Sequence, residues 1–308
     1  MNRIQRRSPF WSLAGPFLGY LAIQWTVQFA IQFVVELPYV MRGYAKMFRE
    51  NQTPSMEEIL NTCLTAMEPA IELLLQYQVE ITGAAALATL ILTGILFLSD
   101  RKLEKRYGVV LREKLPLSKY WTILVFGAAG CVAATSLMTM AQIALYDAQY
   151  QETAEVLYSA GIPMQILVLG IVVPLAEELM FRGILFKRYR ERQRFWYAAV
   201  WSSVFFALMH TNTTQSIYAF LLGLMLAYVY EKFGSFKAPL LLHMVMNLFS
   251  VLLTELGVFQ WLILNPMRMA AAAIAGAFLC SAAVVMMQRL GGPVQEPIRT
   301  DQRGPMDL

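Results

Sequence analysis

The chain has 308 residues, 57% of them hydrophobic and only 15% charged, against about 25% charged in ordinary soluble domains. That balance excludes a water-soluble globular domain. The net charge of +4 sits in particular connections rather than in a continuous basic surface, so no nucleic-acid partner is expected.

Several stretches reach the roughly 20 apolar residues that cross a bilayer. Eight run over 11–35, 81–99, 120–146, 163–186, 195–212, 216–231, 238–254 and 268–287. They predict an all-α membrane protein, a polytopic bundle of about eight transmembrane helices in one domain over 1–290, with the lipid bilayer as its first partner. The N-terminus is basic (Arg3, Arg6, Arg7), but the apolar run behind it is long and lacks a small-residue cleavage site, so it reads as a retained anchor. Gln24, Gln28 and Gln32 recur every four residues and place a polar stripe on one face of the first span, read as interhelical hydrogen bonding. The connection 40–79 is acidic in its second half (Glu57, Glu58, Glu68, Glu72) and predicts a surface-lying amphipathic helix. From Gly291 onward Pro, Gly and charges predict a disordered cytoplasmic tail over 291–308. Cys63, Cys131 and Cys280 follow no metal or disulfide spacing and read as apolar packing.

Basic residues alternate between connections. Arg101, Lys102, Lys105, Arg106, Arg112, Lys114 and Lys119 fill one loop, Lys187, Arg188, Arg190, Arg192 and Arg194 the next, then Lys232 and Lys237. The intervening loops 147–162, 211–215 and 255–266 carry none. Eight spans with this alternation put both termini in the cytoplasm.

Ionisable groups inside spans cost about 2.5–3.5 kcal/mol each even on the lenient insertion scale, and so read as functional. Both histidines of the chain lie there, as does the run Glu177-Glu178-Leu-Met-Phe-Arg182. Pro174, three residues before Glu177, favours a kink beside a cavity. Glu178 and Arg182 are one turn apart and predict an intrahelical ion pair that serves as scaffold. Glu177 points about 100° away and has no cationic partner on its own helix, which suits a general base or acid. Phe206 lies one turn before His210 and can wall its imidazole from lipid; His243 and Asn247 are one turn apart and can hold an oxyanion. Each element also has a bland reading, as a packed histidine or a structural ion pair. Together they predict a shared polar site that activates water against a peptide carbonyl. Two other classes remain: a non-catalytic membrane binding or immunity protein using the same cavity, and a proton-coupled transporter, which lacks the expected inverted repeat.

The motifs Glu-Glu-x-x-x-Arg, Phe-x-x-x-His and His-x-x-x-Asn, in this order on successive spans, resemble the CPBP family, the type II CAAX prenyl proteases and their bacterial Abi relatives. The resemblance covers about 165–255. It implies a multi-pass endopeptidase of the bacterial plasma membrane, acting on a membrane-associated peptide or protein through a site open to the cytoplasm. Glu177 and His210 would activate water and His243 and Asn247 would hold the oxyanion, with Glu178, Arg182 and Phe206 in support. The set Glu177, His210 and His243 could hold zinc, but HExxH is absent and the three come from three spans, so a metal-independent glutamate mechanism is preferred. One tension remains. Glu177 and His243 lie roughly 10–15 Å from the cytoplasmic ends of their spans and His210 nearer 20 Å, so the fifth helix must tilt or begin well below the bilayer surface.

Overall fold

In lipid, backbone polar groups must be satisfied internally, which for a chain of this pattern means helices. The computed structural model describes residues 8, 10–50, 53–106, 114–141 and 147–290, and among them every regular element is a helix. These are α1 (Trp11–Glu50), α2 (Met56–Gln76), α3 (Gln78–Arg106), α4 (Trp121–Met140), α5 (Ala148–Ser159), α6 (Ile162–Arg190), α7 (Phe195–Ala207), α8 (Thr213–Phe233), α9 (Lys237–Glu255), α10 (Val258–Ile263) and α11 (Pro266–Arg289). The tail 291–308 and part of the basic loop, 107–113, lie outside the described residues.

Among the described residues seven helices are long and apolar enough to cross a membrane: α1, α3, α4 with its preceding turn, α6, α8, α9 and α11. The eighth expected span differs. Helix α7 has 13 residues and rises about 20 Å, short of a hydrocarbon core of about 30 Å. It stops at Ala207 because the chain turns there and restarts as α8 with Asn212 as N-cap.

The connection 40–79 is also not a lone surface helix. Helix α1 runs 40 residues, about 60 Å, and so outlasts the expected span. Ser55 and Glu58 form a reciprocal capping box that starts α2, and α2 folds back along α1. Gly43 permits the close approach, since a Cβ there would lie 2.8 Å from the Ala66 Cβ.

Charged side chains tie one end of the bundle together. Arg188 donates to Asp100 through Nε at 2.8 Å and Nη2 at 3.1 Å, and also to the Ser12 carbonyl. Lys187 pairs with Glu104, Arg190 with Glu231 at 2.8 Å, and Lys232 donates to the Gln288 carbonyl at 3.1 Å. The start of α1 and the ends of α3, α6, α8 and α11 therefore share one basic layer. Above it lies a buried aromatic core around α6, where Phe181 packs on Phe206 (centroids 5.2 Å) and Tyr20 (6.0 Å).

Candidate active site

Helix α6 carries the acidic motif and is not a uniform α-helix. Pro174 has no N–H to close the ladder, and the helix widens into π turns over Val168–Val172 and again over Leu179–Phe186, on either side of Val173–Glu178. Such widening displaces carbonyls from their usual partners and recurs at functional sites. Here the Leu169 carbonyl accepts from Asn247 Nδ2 at 2.9 Å. Gly170 lets α9 come this close, because a Cβ on it would overlap the Leu248 side chain.

Between the two π turns, adjacent carboxylates meet different neighbours. Glu178 and Arg182 are both 0% exposed and pair Oε1 to Nη1 at 2.9 Å. The same Glu178 Oε1 lies 3.0 Å from His243 Nδ1. An ionised carboxylate only accepts, so the network assigns the proton to Nδ1 and turns Nε2 outward. That nitrogen lies 3.6 Å from Glu177 Oε2. Glu178 thus joins scaffold and site: it neutralises Arg182 and also orients the imidazole facing Glu177.

Phe206 organises the other side. Its ring centroid is 5.2 Å from that of His210 and 5.7 Å from that of His243, and the Arg182 guanidinium carbon lies 4.5 Å over it. His210 itself sits beyond the end of α7. Its Nδ1 is 3.1 Å from the Phe206 carbonyl; a carbonyl can only accept, so Nδ1 donates and Nε2 is left as the acceptor. The turn holding His210 is fastened on its far side. Asn212 Oδ1 accepts from Gln215 N at 2.8 Å, and Asp147 Oδ2 accepts from Thr214 N at 3.0 Å and Thr214 Oγ1 at 2.8 Å. These Thr214 bonds, together with that from Tyr150 N, hold the Asp147 carboxyl below its ordinary range.

Glu177 and His210 line one cavity of about 180 Å³ inside the apolar bundle, with Gln24, Gln28, Thr82 and Gln215 on its walls. The structure therefore brings Glu177, Glu178, Arg182, Phe206 and His243 into one contact network and joins His210 to it through Phe206 and the cavity. Asn247 lies one turn along α9, with one amide N–H given to the π turn. Sequence reasoning assigned Gln24 and Gln28 to helix packing; instead they face the cavity, while Gln32 donates to Glu36 at 2.8 Å. Their four-residue repeat, continued backwards, reaches Tyr20, which also lines the cavity and accepts from Gln24 Nε2 at 3.2 Å. Asp147 went unremarked, though an aspartate just before a helix start is a capping signal.

Among the described residues no group of three His, Cys, Asp or Glu converges on a metal position. Glu177, His210 and His243 are not gathered into such a group, although each imidazole, with its Nδ1 held by the Phe206 carbonyl or the Glu178 carboxylate, keeps Nε2 for another partner. No step below is routed through a metal.

Residues 159–249 match the family profile described as type II CAAX prenyl endopeptidase Rce1-like. The candidate membrane peptidase YdiL of Bacillus subtilis (strain 168) is 31% identical over 93 residues, 30% of this chain and 38% of the relative. The UPF0177 protein YxdF of Lactococcus lactis subsp. lactis (strain IL1403) is 32% identical over 129 residues, 42% of this chain and 71% of the relative. The match thus spans little more than a third of the Bacillus protein's length and most of the Lactococcus protein's. No solved structure matches. The matched segment contains the acidic motif, both histidines and Asn247, and by sequence and by seven membrane-length helices the chain belongs to the Rce1-like family of type II CAAX prenyl endopeptidases.

Proposed function

We propose that the protein is an intramembrane endopeptidase of a bacterial cell membrane, hydrolysing a peptide bond of a membrane-associated peptide or protein. One observation carries the reading: Glu177 from α6 and His210 from the turn after α7 line the same polar cavity within an apolar bundle, while Glu178 holds His243 against Glu177. A solvated pocket that is only structural needs no such pairing of a proton acceptor with an oriented imidazole.

In this mechanism Glu177, with His210 Nε2 as second acceptor, removes a proton from a water in the cavity. The water oxygen bonds to the peptide carbonyl carbon, and the carbonyl π electrons move to its oxygen. The second N–H of the Asn247 amide donates to that oxyanion, and His243, held through Nδ1 by Glu178, donates to it from Nε2 when that nitrogen carries a proton. Collapse of the intermediate breaks the C–N bond, and the proton held by Glu177 passes to the leaving amine. The products are one new carboxylate and one new N-terminus.

The test compares membrane-associated peptides and new protein N-termini in cells carrying wild type or Glu177→Gln at matched expression. A product present only with wild type is expected. Identical peptide pools, with a biological effect that survives the substitution, would overturn the proposal in favour of a binding role for the same cavity.

A further inference from the structure

Helix α1 lies outside the segment matched to the family profile, yet it places one side chain deep in the site. Of its 40 residues only Pro16, Tyr20 and Met47 are buried. Tyr20 is 1% exposed and lines the cavity shared by Glu177 and His210. Among the described residues on those walls no other polar side chain is buried as fully. The Tyr20 ring packs edge-on against Phe181, a contact that phenylalanine would make equally well. The hydroxyl needs a separate reason, because a polar group inside an apolar bundle is costly without partners. A phenol hydroxyl has one proton to give and accepts through its oxygen. Gln24 Nε2 donates to that oxygen at 3.2 Å, so the proton points elsewhere. Two groups lie close enough to act on it. Thr89 is fully buried and gives its own proton to the Ala86 carbonyl at 2.7 Å, so towards Tyr20 it can only accept. The Glu177 carboxylate bears on the hydroxyl electrostatically.

The attacking water has four positions to fill. It donates to Glu177 and to His210 Nε2, and one lone pair attacks the carbonyl carbon. The other lone pair calls for a donor. Of the other hydroxyls on the walls, that of Thr82 gives its proton to the Gln78 carbonyl at 2.8 Å, and Thr211 is exposed. We propose that Tyr20 is a further catalytic residue, its hydroxyl donating to the attacking water beside Glu177 and so turning the free lone pair towards the carbonyl carbon. The proposal rests on the protease reading of Glu177 and His210. As Glu177 takes the water proton, the water oxygen gains negative charge. A bond to a charged oxygen is roughly twice as strong as a neutral one, so this oxygen outcompetes Thr89 for the hydroxyl. The Tyr20 proton stays on its own oxygen throughout.

The experiment follows the cleavage product that separates wild type from Glu177→Gln, sampled early after induction at matched membrane levels of the full chain. It compares these two with Tyr20→Phe, Gln24→Met and the double variant Tyr20→Phe/Gln24→Met. Tyr20→Phe keeps the ring on Phe181, so its heat midpoint should match wild type. Its rate of product formation should fall about ten- to a hundredfold, through lost orientation of the water. A role in packing alone would leave the rate unchanged, and that result overturns the proposal. Gln24→Met frees the hydroxyl to turn away and should lower the rate less. The double variant should fall no further than Tyr20→Phe, because both changes remove one interaction; losses that multiply overturn the pairing. If Tyr20→Phe does not accumulate in the membrane, Gln24→Met decides, and a wild-type rate in it overturns the proposal. Full product with Tyr20→Phe beside none with Glu177→Gln removes Tyr20 and keeps the protease reading. Identical pools from wild type and Glu177→Gln remove both.

Discussion

The Glu178 carboxylate is predicted to carry two separable burdens, and two variants separate them. In Glu178→Leu the Arg182 guanidinium stays fully buried and loses the carboxylate at 2.9 Å. Its Nε and Nη2 have no hydrogen-bond partner, so only the face of Phe206 and the more distant Glu177 carboxylate remain to offset the charge. Breaking a buried pair from one side costs about 3–5 kcal/mol, and the solubilised protein should lose monodispersity at a clearly lower temperature than wild type. The double variant Glu178→Leu/Arg182→Met removes both charges and fills similar volume, a change that is often neutral or stabilising. Its heat midpoint should return to wild type or above. Activity should not return, because His243 Nδ1 has still lost its charged acceptor at 3.0 Å. A charge-assisted bond contributes about 1.5–3 kcal/mol, so product formation should fall by about ten- to a hundredfold. A thermally restored double variant that cleaves like wild type would refute the orienting role of Glu178. Equal instability of both variants would refute the burial argument.

Three further outcomes are expected. Glu177→Gln should lower product formation by about 10²–10⁴-fold while leaving the heat midpoint unchanged, since Glu177 is 16% exposed and makes no short ion pair; a large drop in stability would mark it as structural. Gly223→Ala should destabilise by about 1–3 kcal/mol, because its Cβ would fall 3.0 Å from the Ser203 Cα and 2.6 Å from its Oγ where α7 meets α8; an unshifted melting curve would contradict that close approach. Asp147 has a depressed carboxyl held by Thr214, so its contribution is present above the unfolded value near pH 4 and is lost as pH falls through its lower folded value. Asp147→Asn should therefore melt below wild type at neutral pH, with the gap closing in acid, and a gap independent of pH would sink the assignment.

Most spans were legible because lipid leaves few alternatives: apolar length near 20 residues, bounded by Lys and Arg, marks a crossing helix without help from tertiary contacts. The local pairings of the site were legible for the same kind of reason. Glu178 with Arg182, and Phe206 with His210, follow from one helical turn and need only a ruler. What composition could not show was widening of the ladder. Pro174 announced a kink, but whether it would bend or become two π turns depended on α9, where Asn247 takes up the Leu169 carbonyl and Leu248 lies against Gly170. The bond from His243 to Glu178 was hidden likewise, since it joins residues 65 apart in sequence. The cavity role of Gln24 and Gln28 was missed because a glutamine stripe serves packing and solvation equally well until its neighbours are known.

The depth of His210 was the one geometric conflict in the sequence, and the structure meets it with a short α7 followed by a turn rather than with one full-length helix. A full-length fifth helix would carry His210 about 20 Å from its start, and the 13 residues of α7 already rise that far, so it is the contact with Phe206 and the shared cavity, not a shallower position, that join His210 to Glu177. Helix α7 ends at Ala207, and the chain continues as a turn through Met209, His210 and Thr211. Irregular backbone at membrane depth is tolerated only where protein or water satisfies it. Here Ala207 and Phe206 carbonyls accept from the backbone N–H groups of His210 and Met209, the His210 carbonyl accepts from Ser216 Oγ, and Asn212 and Asp147 secure the next turn. The break therefore belongs to the cavity rather than interrupting it. It allows one bundle to combine a carboxylate from a continuous span with an imidazole from a discontinuous one. The same turn walls the cavity at that end with Thr211 and Gln215, so positioning His210 and completing the cavity wall are two consequences of a single early helix stop.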